Sequence, residues 1–229
     1  MENKITMVIT SSDRFELLKK TIYSFLQYNT YPIDKYIIID DSGMIRCHRQ
    51  IKEEFDAMFE VICNTTRIGQ IASIDKAYAT VKTDLIFHCE DDWEFYRPSF
   101  IEPSLALLNH DPKILQVWLR ERNDTNGHPV EPQQYLQPNF GISYRFLSYG
   151  YKGYSGFSFN PGLRRLADYK LAAPYAAVPY NSSEPGKGTR YYCPESEISE
   201  IYRNLGFKAA ILENGFVRHI GAAHRVGWD

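Results

Sequence analysis

Ile5 to Thr10 is a short apolar and β-branched run, the pattern of a strand buried on both faces. Ser11-Ser12-Asp13-Arg14 breaks it. Asp13 followed by Glu16 has the form of a capping box. Leu18, Ile22, Phe25 and Leu26 then recur at helical spacing. Tyr36 to Ile39 predicts a second buried strand, which ends in Asp40-Asp41-Ser42-Gly43. A helical stretch follows near Ile51 to Met58, and Phe59 to Cys63 predicts a third strand. Ile74, Ala77, Tyr78 and Val81 mark one face of a helix that begins after Gly69. Leu85 to Cys89 predicts a fourth strand, ending in Glu90-Asp91-Asp92, and a helix after Pro98 runs through Leu105 and Leu108.

Apolar strands alternating with helices predict an α/β fold, a parallel sheet covered on both faces. In such sheets ligands bind beyond the carboxyl ends of the strands, where the polar clusters of this chain converge. The pattern changes after residue 115. Leu115 to Leu119 reads as a strand, Asn126-Gly127 as a turn, and Tyr154 to Asn160 as an alternating strand that stops at Pro161-Gly162. Residues 172 to 194 read as a long loop. A helix is predicted from Glu195 to Leu205, with Ile198, Ile201, Tyr202 and Leu205 inward and Gly206 ending it. Ala209 to Leu212 and Phe216 to Ile220 predict closing strands.

The chain has 229 residues, 44% hydrophobic and 24% charged, which suits one globular domain. A net charge of −2 argues against bulk nucleic-acid binding. Cys47, Cys63, Cys89 and Cys193 form no C-x-x-C pair, which argues against a zinc site or a disulfide framework. The expectation is a cytoplasmic protein with no signal peptide and no membrane-spanning segment. Aromatic residues reach 14%, including 17 Tyr, side chains suited to stacking on sugars and bases.

Glu90-Asp91-Asp92 carries the strongest chemical signal. Three carboxylates in a half-buried cleft repel one another, and each carries a desolvation cost. A divalent cation removes that conflict, and carboxylate and phosphate oxygens are the ligands that Mn²⁺ or Mg²⁺ prefers. With Thr10-Ser11-Ser12-Asp13-Arg14, Asp40-Asp41-Ser42-Gly43, Asn64 to Ala72 (NTTRIGQIA) and a late acidic helix start, the sequence resembles the family 2 glycosyltransferases of the GT-A fold. The resemblance covers nearly the whole chain. It implies a Rossmann-like, mostly parallel central sheet flanked by helices, with a smaller mixed sheet on the acceptor side. Residues 1–229 would form a single catalytic domain, with 1–110 binding the nucleotide-sugar and 111–229 the acceptor.

The resemblance also implies roles. Thr10, Ser12, Arg14 and Asp40 or Asp41 would hold the nucleoside, and Arg67 would reach the base or diphosphate. Glu90-Asp91-Asp92 takes the place of the DXD signature, with Asp92 on the metal and Glu90 or Asp91 on the ribose. His219, with His224 second, matches a C-terminal metal ligand. An inverting transfer needs a carboxylate to accept the acceptor's proton. Counting back from Gly206 places that base on Glu195, with Glu197 as runner-up. Pro194 departs from the family, which usually has an acid there, and the helix dipole alone also accounts for an acid at this position. Lys187 and Arg190 would close over the diphosphate. Trp93 reads either as a sugar-stacking ring or as core. The expected partners are a UDP-sugar donor and a hydroxyl acceptor. A catalytically silent sugar-binding module and a retaining transferase remain open, whereas a nucleotidyltransferase lacks its Gly-rich phosphate loop here.

Overall fold

A computed structural model describes residues 3–137, 139–148, 156–179 and 194–221. Four predicted strands form as parallel neighbours: β1 (Ile5–Ser11), β2 (Lys35–Asp40), β3 (Glu60–Cys63) and β4 (Leu85–Glu90). They lie in the order β3-β2-β1-β4. The sheet is completed by β9 (Gly162–Arg165), which runs antiparallel to β4. A second sheet takes the order β6-β10-β8-β7 and mixes directions, from β6 (Ile114–Trp118), β7 (Tyr135–Gln137), β8 (Ile142–Phe146) and β10 (Lys208–Leu212). A two-stranded ribbon pairs β5 (Trp93–Phe95) with β11 (Val217–His219).

Alternation along β1 explains how both faces are covered. Ile5, Met7 and Ile9 join one core cluster with Leu18, Ile22 and Phe25 of α1 (Phe15–Tyr28). Val8 joins the other with Ile74, Ala77 and Tyr78 of α3 (Gln70–Tyr78) and Ile198 and Tyr202 of α6 (Pro194–Asn204). α2 (Ile45–Phe55) and α4 (Ile101–His110) complete the flanks near their predicted places, α2 starting earlier than the Ile51 the pattern suggested. Phe25 centres an aromatic cluster with Phe87, Phe95 and Phe100 at centroid distances of 5.3–5.5 Å.

Several readings change, among them Leu205, expected to face inward but 42% exposed just past the end of α6. Asp13 does not cap α1: its φ is 54°, its carboxylate accepts from Arg46 and Cys47, and Arg14 takes the N-cap position. Residues 156–160 form no strand, and Tyr154 and Ser155 lie outside the described residues. The short elements β9 and α5 (Leu166–Ala172) were not anticipated. No described helix is long and apolar enough to cross a membrane.

Candidate active site

Parallel register builds the site. It sets Thr10 level with Glu90 and Ser11 level with Asp40, so the polar ends of β1, β2 and β4 share one edge. Adjacent strands lie about 4.8 Å apart, which puts these residues within reach of one small ligand. Beyond that edge, β11 pairs with β5 and carries His219 back over the carboxylates.

The three acids after β4 are held differently. Glu90 accepts from Gln70 Nε2 at 2.6 Å and from Trp93 Nε1 at 3.2 Å. Burial, then Asp92 and Glu195, push its carboxyl up to about 8. Asp91 is fully buried, accepts from the Ser12 amide at 3.3 Å and is paired with the Arg14 guanidinium. Burial pushes it up to about 7 against the pull of that cation. Asp92 is 2.8 Å from Arg14 Nη1 and 3.2 Å from His219 Nε2. Burial alone would raise it, but the His219 and Arg14 contacts hold it below the usual carboxylate range. Arg14 goes the other way: burial would lower it, and Asp91 and Asp92 raise it.

The structure also separates Asp40 from Asp41. Asp41 accepts from Asn64 Nδ2 at 2.8 Å, the Ile68 amide at 2.9 Å and the Gly69 amide at 2.8 Å. Both of its oxygens therefore latch the 64–69 loop, and Asn64 is held in turn by Ser73 and Lys76. Asp40 is contacted by Ser42 and His48 through Oδ2, while its buried Oδ1 has no partner among the described residues. Burial raises its carboxyl, with Ser42 opposing. Ser11 and Ser12 hydroxyls are also buried without partners there. Thr10 is buried, and Arg67 is exposed on the latched loop beside Gly43, where a side chain would meet the Arg67 amide at 3.3 Å.

Glu195 reaches this edge from the far half of the chain. It shares a stripe of α6 with Ile198, Ser199 and Tyr202, which are buried, and Oε1 accepts the Phe159 amide at 2.6 Å. Its charge acts on Glu90, so the two acids are near neighbours. Glu197 is two residues on, and residues so spaced do not share a helix face. Lys187, Arg190, Cys193 and His224 lie outside the described residues. Trp93 is 1% exposed and belongs to the core, with its ring edge-on to His219 at 5.1 Å and Arg120 over its face at 5.2 Å.

Gln70 and Gly221 were not singled out individually from the sequence. Gln70 lies inside the Asn64–Ala72 motif, the one signal that could have found it. Gly221 is packed onto Asp92: an added Cβ would sit 2.8 Å from Asp92 Cβ and Cγ. The neighbouring Ile220 amide donates to the Asp92 carbonyl at 2.8 Å, which helps hold the backbone of Gly221 in place. Gly221→Ala is expected to leave circular dichroism unchanged while weakening nucleotide binding in Mn²⁺ at least about tenfold, ~1.4 kcal/mol, by calorimetry.

The same layout recurs in solved structures. GalNAc-T7, solved with UDP, GalNAc and Mn²⁺, superposes with a TM-score of 0.65 at 13% identity, covering 95% of this chain and 44% of that one. Residues 1–349 of TarS from S. aureus, solved with UDP-GlcNAc, give 0.60 at 10% identity, covering 97% of this chain and 62% of that one. The fold is therefore GT-A, and the chain spans less than two thirds of either structure. Residues 6–171 match the family described as Glycosyl transferase family 2, and the chain belongs to that family of glycosyltransferases. No curated protein matches the chain in sequence.

Proposed function

We propose that this protein transfers a sugar from a UDP-linked donor to an acceptor hydroxyl with inversion, using Mn²⁺ or Mg²⁺. The observation that carries the reading is Asp92. Its Oδ1 is buried without a partner among the described residues, and its Oδ2 lies 3.2 Å from His219 Nε2. Carboxylate and imidazole donors suit such an ion. Among the described residues no three His, Cys, Asp or Glu side chains are placed to hold a metal ion by themselves, so Asp92 and His219 would hold the ion together with diphosphate oxygens. When bound, the ion supplies positive charge against the leaving diphosphate.

The chain's own groups do the rest. Asp40 Oδ1 and the Ser11 and Ser12 hydroxyls offer unused polar atoms to the nucleoside. Arg14 offers its cation to the diphosphate, and Arg67 lies on the loop latched beside the same edge. Glu90 or Asp91 faces the ribose. Glu195 accepts the proton of the acceptor hydroxyl as that oxygen bonds to the anomeric carbon. The bond from that carbon to the diphosphate oxygen breaks, and its electron pair leaves with UDP. The UDP complexes of TarS and GalNAc-T7 support the choice of nucleotide.

Calorimetric titration of UDP, then GDP, with and without Mn²⁺ tests this reading. Mn²⁺-dependent binding of UDP in preference to GDP is expected. Binding of neither nucleotide under any metal condition would overturn it.

A further inference from the structure

The side chain of Arg164 is an anomaly. It is 3% exposed on β9, over the rings of Phe157 and Phe159 at 5.6 and 6.0 Å. Its Nε and Nη1 have no hydrogen-bond partner among the described residues. Burying a guanidinium without a carboxylate is costly, and an apolar side chain of similar volume would fill the space more cheaply. Arg164 faces the Tyr78 hydroxyl, and it also makes a specific contact with backbone. Its Nη2 donates to the Ser158 carbonyl at 2.9 Å and to the Asn160 carbonyl at 3.5 Å.

Those carbonyls flank the Phe159 amide, which donates to Glu195 at 2.6 Å. Contacts of the segment alternate as they do along an extended chain. The amides of 157 and 159 turn to α6, where Ser199 Oγ accepts at 3.4 Å and Glu195 accepts one turn earlier. The backbone of residue 158 turns away: its carbonyl accepts from Arg164 and its amide donates to the side-chain oxygen of Gln116 at 3.3 Å. The segment is thus clamped from both sides without belonging to a sheet. Glu195 and Ser199 lie four apart on one helix face, matching amides two apart on the segment.

We infer that Arg164 is a positioning residue for transfer: it holds the 158–160 backbone so that the Phe159 amide fixes the carboxylate of Glu195 against the strand edge. The inference rests on the reading of Glu195 as the base. Arg164 touches neither donor nor acceptor. It acts through a backbone amide, so its loss should lower turnover without weakening nucleotide binding.

The test is a double-mutant cycle between Arg164→Met and Glu195→Gln, repeated with Arg164→Lys in case the first variant does not fold. Turnover is read as UDP released from UDP-GlcNAc or UDP-glucose with water as acceptor, and binding as calorimetric Kd for UDP in Mn²⁺. Arg164→Met is expected to lower turnover about 100-fold, the order of loss for a small misplacement of a reacting group. Arg164→Lys, which keeps donors for the carbonyls, should recover to within about tenfold of wild type. Either change in the Glu195→Gln background should cost no more than about twofold further, and Kd for UDP should stay within about threefold, because coupled residues are non-additive. Additive losses, an altered Kd, or wild-type turnover in folded Arg164 variants would overturn the inference. Wild-type turnover in Glu195→Gln alone would instead overturn the assignment of the base.

Discussion

Asp92→Ala is expected to abolish the Mn²⁺ dependence of UDP binding and to raise Kd at least about 100-fold, ~2.7 kcal/mol, in the presence of the ion. Asp92 is the meeting point of Arg14 at 2.8 Å, His219 at 3.2 Å and the backbone of Gly221. It is also the member of the acid trio in which His219 and Arg14 overcome the upward push of burial and hold the carboxyl below its usual range. Glu90 and Asp91 are pushed up to about 8 and about 7, so near neutrality each carries less charge for a cation. Removing Asp92 leaves Arg14 and His219 facing a diphosphate without the ion. Some metal-independent binding of UDP should therefore survive, and the diagnostic result is the loss of the difference made by Mn²⁺. Titrations of wild type and variant with and without the ion give the answer, and an undiminished Mn²⁺ effect in the variant would sink the assignment.

The second large effect is expected at Glu195. Glu195→Gln should slow turnover about 10²- to 10⁴-fold, the range of a lost general base. Glutamine keeps an oxygen for the Phe159 amide, so α6 should stay docked and UDP should bind within about threefold of wild type. Glu197→Gln provides the contrast. It sits on a different face of the helix and should change turnover no more than about threefold. Steady-state release of UDP from UDP-hexoses compares the three proteins, and equal losses in both variants would show that the helix start matters only as a block of charge.

Much of the first half could be read directly. Four parallel strands announce themselves as apolar runs, and the acids that end β2 and β4 fall where the sheet needs a ligand edge. The division of labour between Asp40 and Asp41 was not legible. It depends on where the Ile68 and Gly69 amides come to rest, and neighbouring aspartates are equivalent until that loop folds. The capping box failed for a related reason. Asp13 adopts a positive φ, and its carboxylate is taken by Arg46 and Cys47 of a different helix. Residues 156–160 alternate as predicted, yet they answer to α6 and Arg164 instead of to a neighbouring strand. β9 escaped notice because a four-residue strand with two arginines carries no apolar signature, although Arg164 is buried.

The place of β9 bears on how the protein is made. The chain lays down β1 to β4, leaves to begin the second sheet, and returns to pair with β4 only from residue 162 onward. During synthesis the edge of β4 (Leu85-Ile86-Phe87-His88) must therefore wait, uncovered, until β9 has emerged from the ribosome. An apolar strand edge left open in this way is a template for pairing with the wrong chain. A nascent chain stalled between residues 110 and 160 should be a client for chaperones and prone to pair through the open edge of β4, an edge that is covered once β9 has emerged.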